Sequence, residues 1–446
     1  MSVIGVVGLI VSLVLLIYLT MKGINIIIAA ILCSILVAIT GGLNLQTALM
    51  ENYMDGFTRY FASWFLVFLL GAIFGKVMQE TKSAESIAQW IKKTLGTKRA
   101  VFAVVAAAAI MTYGGVSLFV VGFAIYPIAV SLFRAANLPH RFIPGALVFG
   151  SISFTMTAPG SPEIQNIIPT KFFGTTPTGG GFIGVLCALL IMIVGAIWIG
   201  HMVKKAVNDG EEFHLPYKND RNELAASLAE EEYDARDTKK RLPNIVVSVI
   251  PLIVVIAVLN VLSQLMDPTA ALLIALTSGI ALACVTMNTF LKAFWDSLAK
   301  GAQDALVALA NTCAVVGFGS VVAQVSAFDA LVNGLVNLPG PPLLGLAIGV
   351  TLICGITGSA SGGLGIALPV LAPIYMGQGL DPGAMHRISA LASGGIDSLP
   401  HNGYVVTTIR VICGETHERS YKPVFLLSVV LPTSVMFLAV ILYSIF

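Results

Sequence analysis

Charge is what this chain has least of. Lys, Arg, Asp and Glu supply 25 basic and 23 acidic residues out of 446, whereas hydrophobic residues make up 57%. Soluble domains carry about 25% charged residues, and 11% is less than half of that. The shortfall is uneven: 18 of the charges, 8 basic and 10 acidic, lie between Lys204 and Pro243, and the other 406 residues share 30. Such a surface does not keep a 46.9 kDa body in water. A net charge of only +2 excludes the basic footprint of a nucleic-acid binder. Cysteine is equally uninformative as a framework: Cys33, Cys187, Cys284, Cys313, Cys354 and Cys413 stand alone in apolar stretches, with neither metal spacing nor a disulfide pattern. No cofactor and no metal are expected. A Gly-x4-Gly-Lys-Ser/Thr loop is absent, which disfavours an ATP-driven pump. Period-2 alternation is absent too, which disfavours a porin-type barrel. What remains is an all-α polytopic protein of the lipid bilayer.

The apolar stretches are long. A spanning helix needs about 20 largely apolar residues, and the candidates are Ile4–Met21, Ile24–Thr40, Tyr60–Met78, Phe142–Thr157, Phe182–Val203, Ile245–Ser263, Ala270–Met287, Ala302–Gln324 and Val424–Phe446. The first has no basic flank or small-residue cleavage site, so it reads as retained. Two further stretches, about 99–134 and 342–376, are interrupted by Gly, Ser, Thr and Pro. Basic residues favour the cytoplasmic side. Lys76, Lys82, Lys92, Lys93, Lys98 and Arg99 surround one connection, and Arg134 and Arg141 another. With both inside, residues 99–134 enter and leave on one face as a re-entrant hairpin. Lys22, Lys292, Lys300, Arg410, Arg419 and Lys422 then also fall inside. Both termini are expected outside and the charged linker, 204–243, in the cytoplasm, as in a bacterial inner-membrane protein.

The halves on either side of that linker, 1–203 and 244–446, follow the same order. Pro127, Pro139 and Pro159 recur as Pro369, Pro382 and Pro400, at offsets of 242, 243 and 241. Each half is expected to hold about five crossings, one re-entrant hairpin and one broken helix, the breaks lying within about 141–174 and 384–413. An odd number of crossings inverts the second half. That is the inverted-repeat plan of secondary transporters.

Four breaks then converge near mid-membrane. Irregular backbone survives there only inside protein or beside a water-filled cavity, and half-helix N-termini offer free N–H groups to an anion. The first hairpin tip contributes Tyr113, Gly114, Gly115 and Ser117, and the first helix break Pro159, Gly160, Ser161, Gln165 and Asn166. The second tip contributes Thr357, Gly358, Ser359, Ser361 and Gly362, and the second break Asn402. These are the expected substrate-binding residues. A small-residue helix contact is the structural alternative for the second tip. Ionisable groups at this depth are costly and face a cavity or a partner. Glu163, Asp397 and His401 are therefore the candidates to carry a coupling proton, an imidazole being the group that titrates near neutrality. Asp304 reads as a solvated carboxylate at a helix start. His386 and Arg387, directly after a Pro turn, read as interfacial, with a substrate-carboxylate clamp as the alternative for Arg387.

Ala158-Pro159-Gly160-Ser161-Pro162-Glu163-Ile164-Gln165-Asn166, followed by Thr170-Lys171 and Gly174-Thr175-Thr176-Pro177-Thr178, resembles the gluconate:proton symporter family of permeases. Ala392-Ser393-Gly394-Gly395-Ile396-Asp397-Ser398-Leu399-Pro400-His401-Asn402-Gly403 is similar to its second-half motif, closest to the 3-hydroxybutyrate permease branch. The resemblance implies membership of the ion-transporter superfamily: a scaffold domain that dimerises, a transport domain holding both hairpins, an elevator-type movement, and proton rather than sodium coupling. The expected function is import of a small hydroxycarboxylate anion by proton symport, with no enzymatic activity. An efflux carrier or channel with the same fold is the alternative. An intramembrane hydrolase using Ser361 and His401 is remote, because Gly358-Ser359-Ala360-Ser361-Gly362 lacks the Gly-x-Ser-x-Gly elbow.

Overall fold

The computed structural model describes residues 3–22, 24–216, 242–291, 294–336 and 338–446. Most of the charged linker, and Lys292, lie outside the described residues. Every regular element among those described is helical. In chain order they are α1 (Val3–Met21), α2 (Ile26–Gly41), α3 (Thr47–Glu80), α4 (Ser83–Leu95), α5 (Ala100–Tyr113), α6 (Leu118–Ala135), α7 (143–157), α8 (Ile164–Phe173) and α9 (Gly181–Asn208). After the linker come α10 (Ile245–Leu262), α11 (Pro268–Thr286), α12 (Phe294–Val322), α13 (Ser326–Val336), α14 (Pro342–Thr357), α15 (Ala360–Met376), α16 (Pro382–Ser393), α17 (Gly403–Ile412) and α18 (His417–Ile445).

Seven of these, α3, α6, α9, α10, α11, α12 and α18, are long and apolar enough to cross a membrane. Counting α4 with the segment Thr97–Tyr113, to which it joins at a 105° bend, gives eight. The remaining apolar helices, including α1, α2, α14, α15 and α17, run 10–17 residues in their apolar parts. The apolar stretch Phe142–Thr157 forms the first half of the first broken helix, and the helix expected to end at Val203 continues to Asn208. The outward faces are apolar: Val7, Ile10 and Val14 on α1, Phe182 and Ile197 on α9, and Ile253 and Val261 on α10 are exposed. A face of that kind is stable against acyl chains and not against water.

Two groups of helices frame the site. In the first, α3 and α12 lie side by side, flanked by α2 and α11, with α1 and α10 outside them. Ser320 faces Gly56 and Ile73 faces Gly301, so α3 and α12 run antiparallel. Their approach requires glycine. A Cβ on Gly56 would fall 2.0 Å from Ser320 Oγ, and one on Gly317 would fall 2.8 Å from the Tyr53 carbonyl oxygen. Small residues at such contacts are how helices associate where lipid supplies no hydrophobic drive.

The second group holds the irregular elements. α5 and α6 pair about the turn at residues 114–117, and α14 and α15 about Gly358 and Ser359. The chain breaks between α7 and α8, and again between α16 and α17. α8 packs on α15 and α16, while α9 and α18 back the assembly. α4 is amphipathic and bridges α5 and α6 to α10.

Candidate functional site

Between the two groups lies a cavity of about 870 Å³. α3 and α12 form one wall, and four helix starts form the other: Ser117–Val120 of α6, Glu163–Gln165 of α8, Ser359–Ser361 of α15 and Asn402–Tyr404 of α17. The first N–H groups of a helix have no partner within it. Four such ends therefore concentrate donors and partial positive charge on one space.

The second tip is shaped by Gly358 (φ +60°), whose absent Cβ would fall 2.4 Å from His401 Cδ2. Only glycine admits the imidazole that close. Ser359 caps α15, its Oγ accepting from the Gly362 N–H at 3.2 Å, and the Thr357 hydroxyl donates to the carbonyls of Cys354 and Ser359, both at 3.1 Å. Asp397, at the second break, borders the same cavity as this tip. Its carboxylate accepts from the Ser398 hydroxyl at 2.9 Å. Asn402 Nδ2 donates to the Gly358 carbonyl at 3.1 Å, and its Oδ1 accepts from the Val405 N–H at 2.9 Å. That amide serves the fold, although Asn402 borders the cavity.

The first break is sealed from within the protein. Tyr113 donates its hydroxyl to the Pro159 carbonyl at 2.8 Å, and Asn260 of α10 donates to Gly160 at 3.0 Å. Asn166 Nδ2 donates to the carbonyls of Ser161 (2.8 Å) and Pro177 (2.9 Å), while its Oδ1 meets His386 Nε2 at 3.1 Å. Arg387 is fully buried and supplies four more hydrogen bonds, all to carbonyls: Thr157, Pro177 and, twice, Gly179. His386, also buried, bonds the Thr175 hydroxyl through Nδ1. The interfacial placement expected for His386 and Arg387 is thus corrected. So is the carboxylate clamp, because the guanidinium is occupied by backbone that irregular geometry leaves unpaired.

Of the expected binding residues, Gly115, Ser117, Gln165, Thr357, Gly358, Ser359, Ser361 and Asn402 border the cavity, as do Glu163, Asp397 and His401. Tyr113, Gly114, Pro159, Gly160, Ser161, Asn166 and Gly362 do not. Ser161 Oγ accepts from the Glu163 N–H at 3.3 Å, and a Cβ on Gly114 would run into Leu252. Their work is to hold the break and the tips in shape. Gln165 differs from them: its Oε1 is buried in the cavity wall with no hydrogen-bond partner. A buried acceptor in that state is costly and suits a donor from outside the chain.

Several wall residues escaped the sequence reading. Asn311 and Thr312 of α12 border the cavity, and a polar pair inside an apolar helix was the available signal. Lys76 of α3 and Asp304 of α12 border it as well, paired at 3.0 Å. Asp304 lies well inside α12 rather than at a helix start, though its side chain is 59% exposed. No group of three metal-ligating side chains occurs among the described residues.

The GntP family permease model matches residues 1–396. The YxjC protein of Bacillus subtilis (strain 168), described as an uncharacterized transporter, is 34% identical over 96% of this chain and 97% of its own length. Two solved structures each cover 90% of this chain at 16% identity: the Alcanivorax borkumensis YdaH transporter (88% of that chain, TM-score 0.49) and Neisseria gonorrhoeae MtrF (84%, TM-score 0.47). The family match and the Bacillus relative span the fold described above, including both hairpins and the first break. The chain therefore belongs to the GntP family of permeases, and it is a multi-pass membrane transporter rather than an enzyme.

Proposed function

We propose that this transporter imports a small hydroxycarboxylate anion, 3-hydroxybutyrate or a gluconate-like acid, by proton symport across the bacterial inner membrane. The observation that carries the reading is the convergence of four helix N-termini on one cavity, with Gln165 Oε1 standing unpartnered in its wall. The carboxylate is received by N–H groups at Leu118, Ile164, Ser361 and Gly403 and by the hydroxyls of Ser117 and Ser361. The substrate hydroxyl donates to Gln165. Asp397 is the coupling group: protonation cancels the carboxylate that the second break sets at the cavity, and the loaded site becomes less charged. His401 and Glu163 share the cavity and are the alternative carriers. α1–α3 and α10–α12 act as the scaffold and the dimer interface. The two hairpins and the two broken helices move as the transport unit, in an inverted-repeat elevator.

Voltage enters through the charge carried, at roughly 2.3 kcal/mol per unit charge per 100 mV. Two protons with a monoanion are driven inward by the membrane potential, whereas one is electroneutral. The test is uptake of labelled 3-hydroxybutyrate and gluconate into proteoliposomes, with and without a protonophore. Accumulation of at least one, collapsed by the protonophore, is expected. Uptake of neither, or uptake the protonophore leaves unchanged, would sink the assignment. Asp397→Asn keeps an acceptor for the Ser398 hydroxyl but carries no titrating proton, so it is expected to abolish accumulation while leaving slow exchange. Persistent accumulation removes Asp397 as the coupling group.

A further inference from the structure

The binding cavity shares two wall residues, Lys76 and Gln79, with a second hollow of about 770 Å³. Glu80, Lys82 and Glu85, where α3 gives way to α4, and Ser297 and Lys300, on the first turns of α12, border that hollow. It is a polar vestibule at the end of the bundle where the basic residues cluster, the cytoplasmic end by that count. Lys76 stands at its junction with the binding cavity. It is the one Lys or Arg among the described residues that border that cavity. Its Nζ lies 3.0 Å from Asp304 Oδ2, and the two side chains are 24% and 59% exposed.

Ion pairs this open are worth about 0–1 kcal/mol. Asp304 therefore holds the ammonium weakly, and another carboxylate can replace it with little loss. A lysine ammonium is a compact charge with three rotatable donors, so it accepts an incoming carboxylate without demanding one geometry. We propose that Lys76 is the exit-side receptor for the transported anion, with Asp304 as its resting partner and built-in competitor. An anion leaving the four helix ends takes the place of Asp304 on Lys76. Asp304 recovers the ammonium as the anion passes into the vestibule. An ammonium without that competitor would retain the anion and delay its release. The inference rests on the anion-transport reading above and adds the residue through which release runs.

The test uses the full chain in vesicles of both orientations, with labelled 3-hydroxybutyrate and gluconate as probes. Lys76→Gln removes a charged hydrogen bond and is expected to raise the cytoplasmic-face KM about tenfold. The opposite-face KM is expected to stay within about twofold, below the 0.5 kcal/mol that a surface substitution usually changes. Lys76→Arg keeps the cytoplasmic-face KM near wild type. Asp304→Asn removes the competitor, so it lowers the cytoplasmic-face KM and also lowers the maximal rate of uptake from the other face. Equal effects on both faces, or the two removals shifting KM in the same direction, would make the pair a structural strut and overturn the inference. Wild-type vesicles that carry neither probe would bring down the hydroxycarboxylate reading itself, an outcome visible before any variant is compared.

Discussion

The two broken helices begin from similar sequence, a Pro between small and polar residues, and end in opposite environments. In the first, the carbonyls of Thr157, Pro159 and Gly160 are answered by side chains of other elements, Arg387, Tyr113 and Asn260, and that of Ser161 by Asn166 of the following α8. In the second, the partners come from the same half of the chain, with Asn402 donating to Gly358 and Tyr421 donating to the Ser398 carbonyl at 3.1 Å. Asp397 and His401 there border the cavity directly. A break at membrane depth needs donors from somewhere. Where a buried cation from the other half supplies them, the break becomes part of the framework. Where the same half of the chain suffices, Asp397 and His401 are left bordering the cavity.

That contrast can be broken most forcefully at Arg387. Arg387→Met leaves the Thr157 and Gly179 carbonyls without a donor at about 1–3 kcal/mol each, while Pro177 keeps Asn166, so a loss of at least about 2 kcal/mol is expected. Thermal melting in detergent, followed by size exclusion, reads it. Asp397→Asn, at the other break, should melt close to wild type. Equal melting losses would erase the distinction between framework and working break. A smaller effect tests Gln165, the residue of the first break that borders the cavity and whose buried Oε1 has no hydrogen-bond partner. Gln165→Leu is expected to flatten discrimination between 3-hydroxybutyrate and butyrate by roughly tenfold or more, one hydrogen bond's worth of selectivity. Competition assays measure the ratio, and an unchanged ratio removes Gln165 from substrate recognition.

Tyr113→Phe deletes a single neutral hydrogen bond to the first break, worth about 1 kcal/mol. It should lower the melting temperature slightly and leave substrate selectivity alone. A selectivity change would put Tyr113 in the site after all. The smallest effect is expected away from both breaks, where Glu211 accepts two hydrogen bonds from the Arg141 guanidinium at 2.7 and 2.6 Å. Those bonds hold its carboxyl below the ordinary value, against a partial opposing effect of burial. Folded Glu211 therefore binds its proton less readily than unfolded Glu211. The stabilisation is present above the unfolded value of about 4.3 and is lost as pH falls through the lowered folded value. Because the pair is 23% and 41% exposed, Glu211→Gln should change stability at pH 7 by only about 0.5 kcal/mol. The difference from wild type should shrink in acid; a difference that grows in acid contradicts the assigned sign.

Much of the second hairpin could be read from the chain, because Thr357-Gly358-Ser359 interrupts an apolar run with residues that cap and turn helices. The charged groups of the second break could be read for the same reason: Asp397 and His401 are conspicuous where charge is scarce. Asn166 was misleading. Its amide looks like a substrate ligand in the chain, yet three partners consume it, one of them His386, 220 positions away. Arg387 was misleading in the same way, since its carbonyl partners lie 208–230 positions away. Lys76 read as an orienting loop charge and Asp304 as a solvated one, and their pairing across the α3–α12 contact makes them wall residues.

The sequence by itself determined the class of environment and the places where helices stop. Both follow from local chemistry: few charges and long apolar runs demand lipid, and Gly, Pro and Ser end helices wherever they cluster. Only the tertiary structure decided which polar residues are spent on the fold and which are left facing the cavity. A buried donor or acceptor must find a partner, and the partners of His386 and Arg387, with one of the three of Asn166, come from the opposite half of the chain. Nothing local to those residues could reveal that.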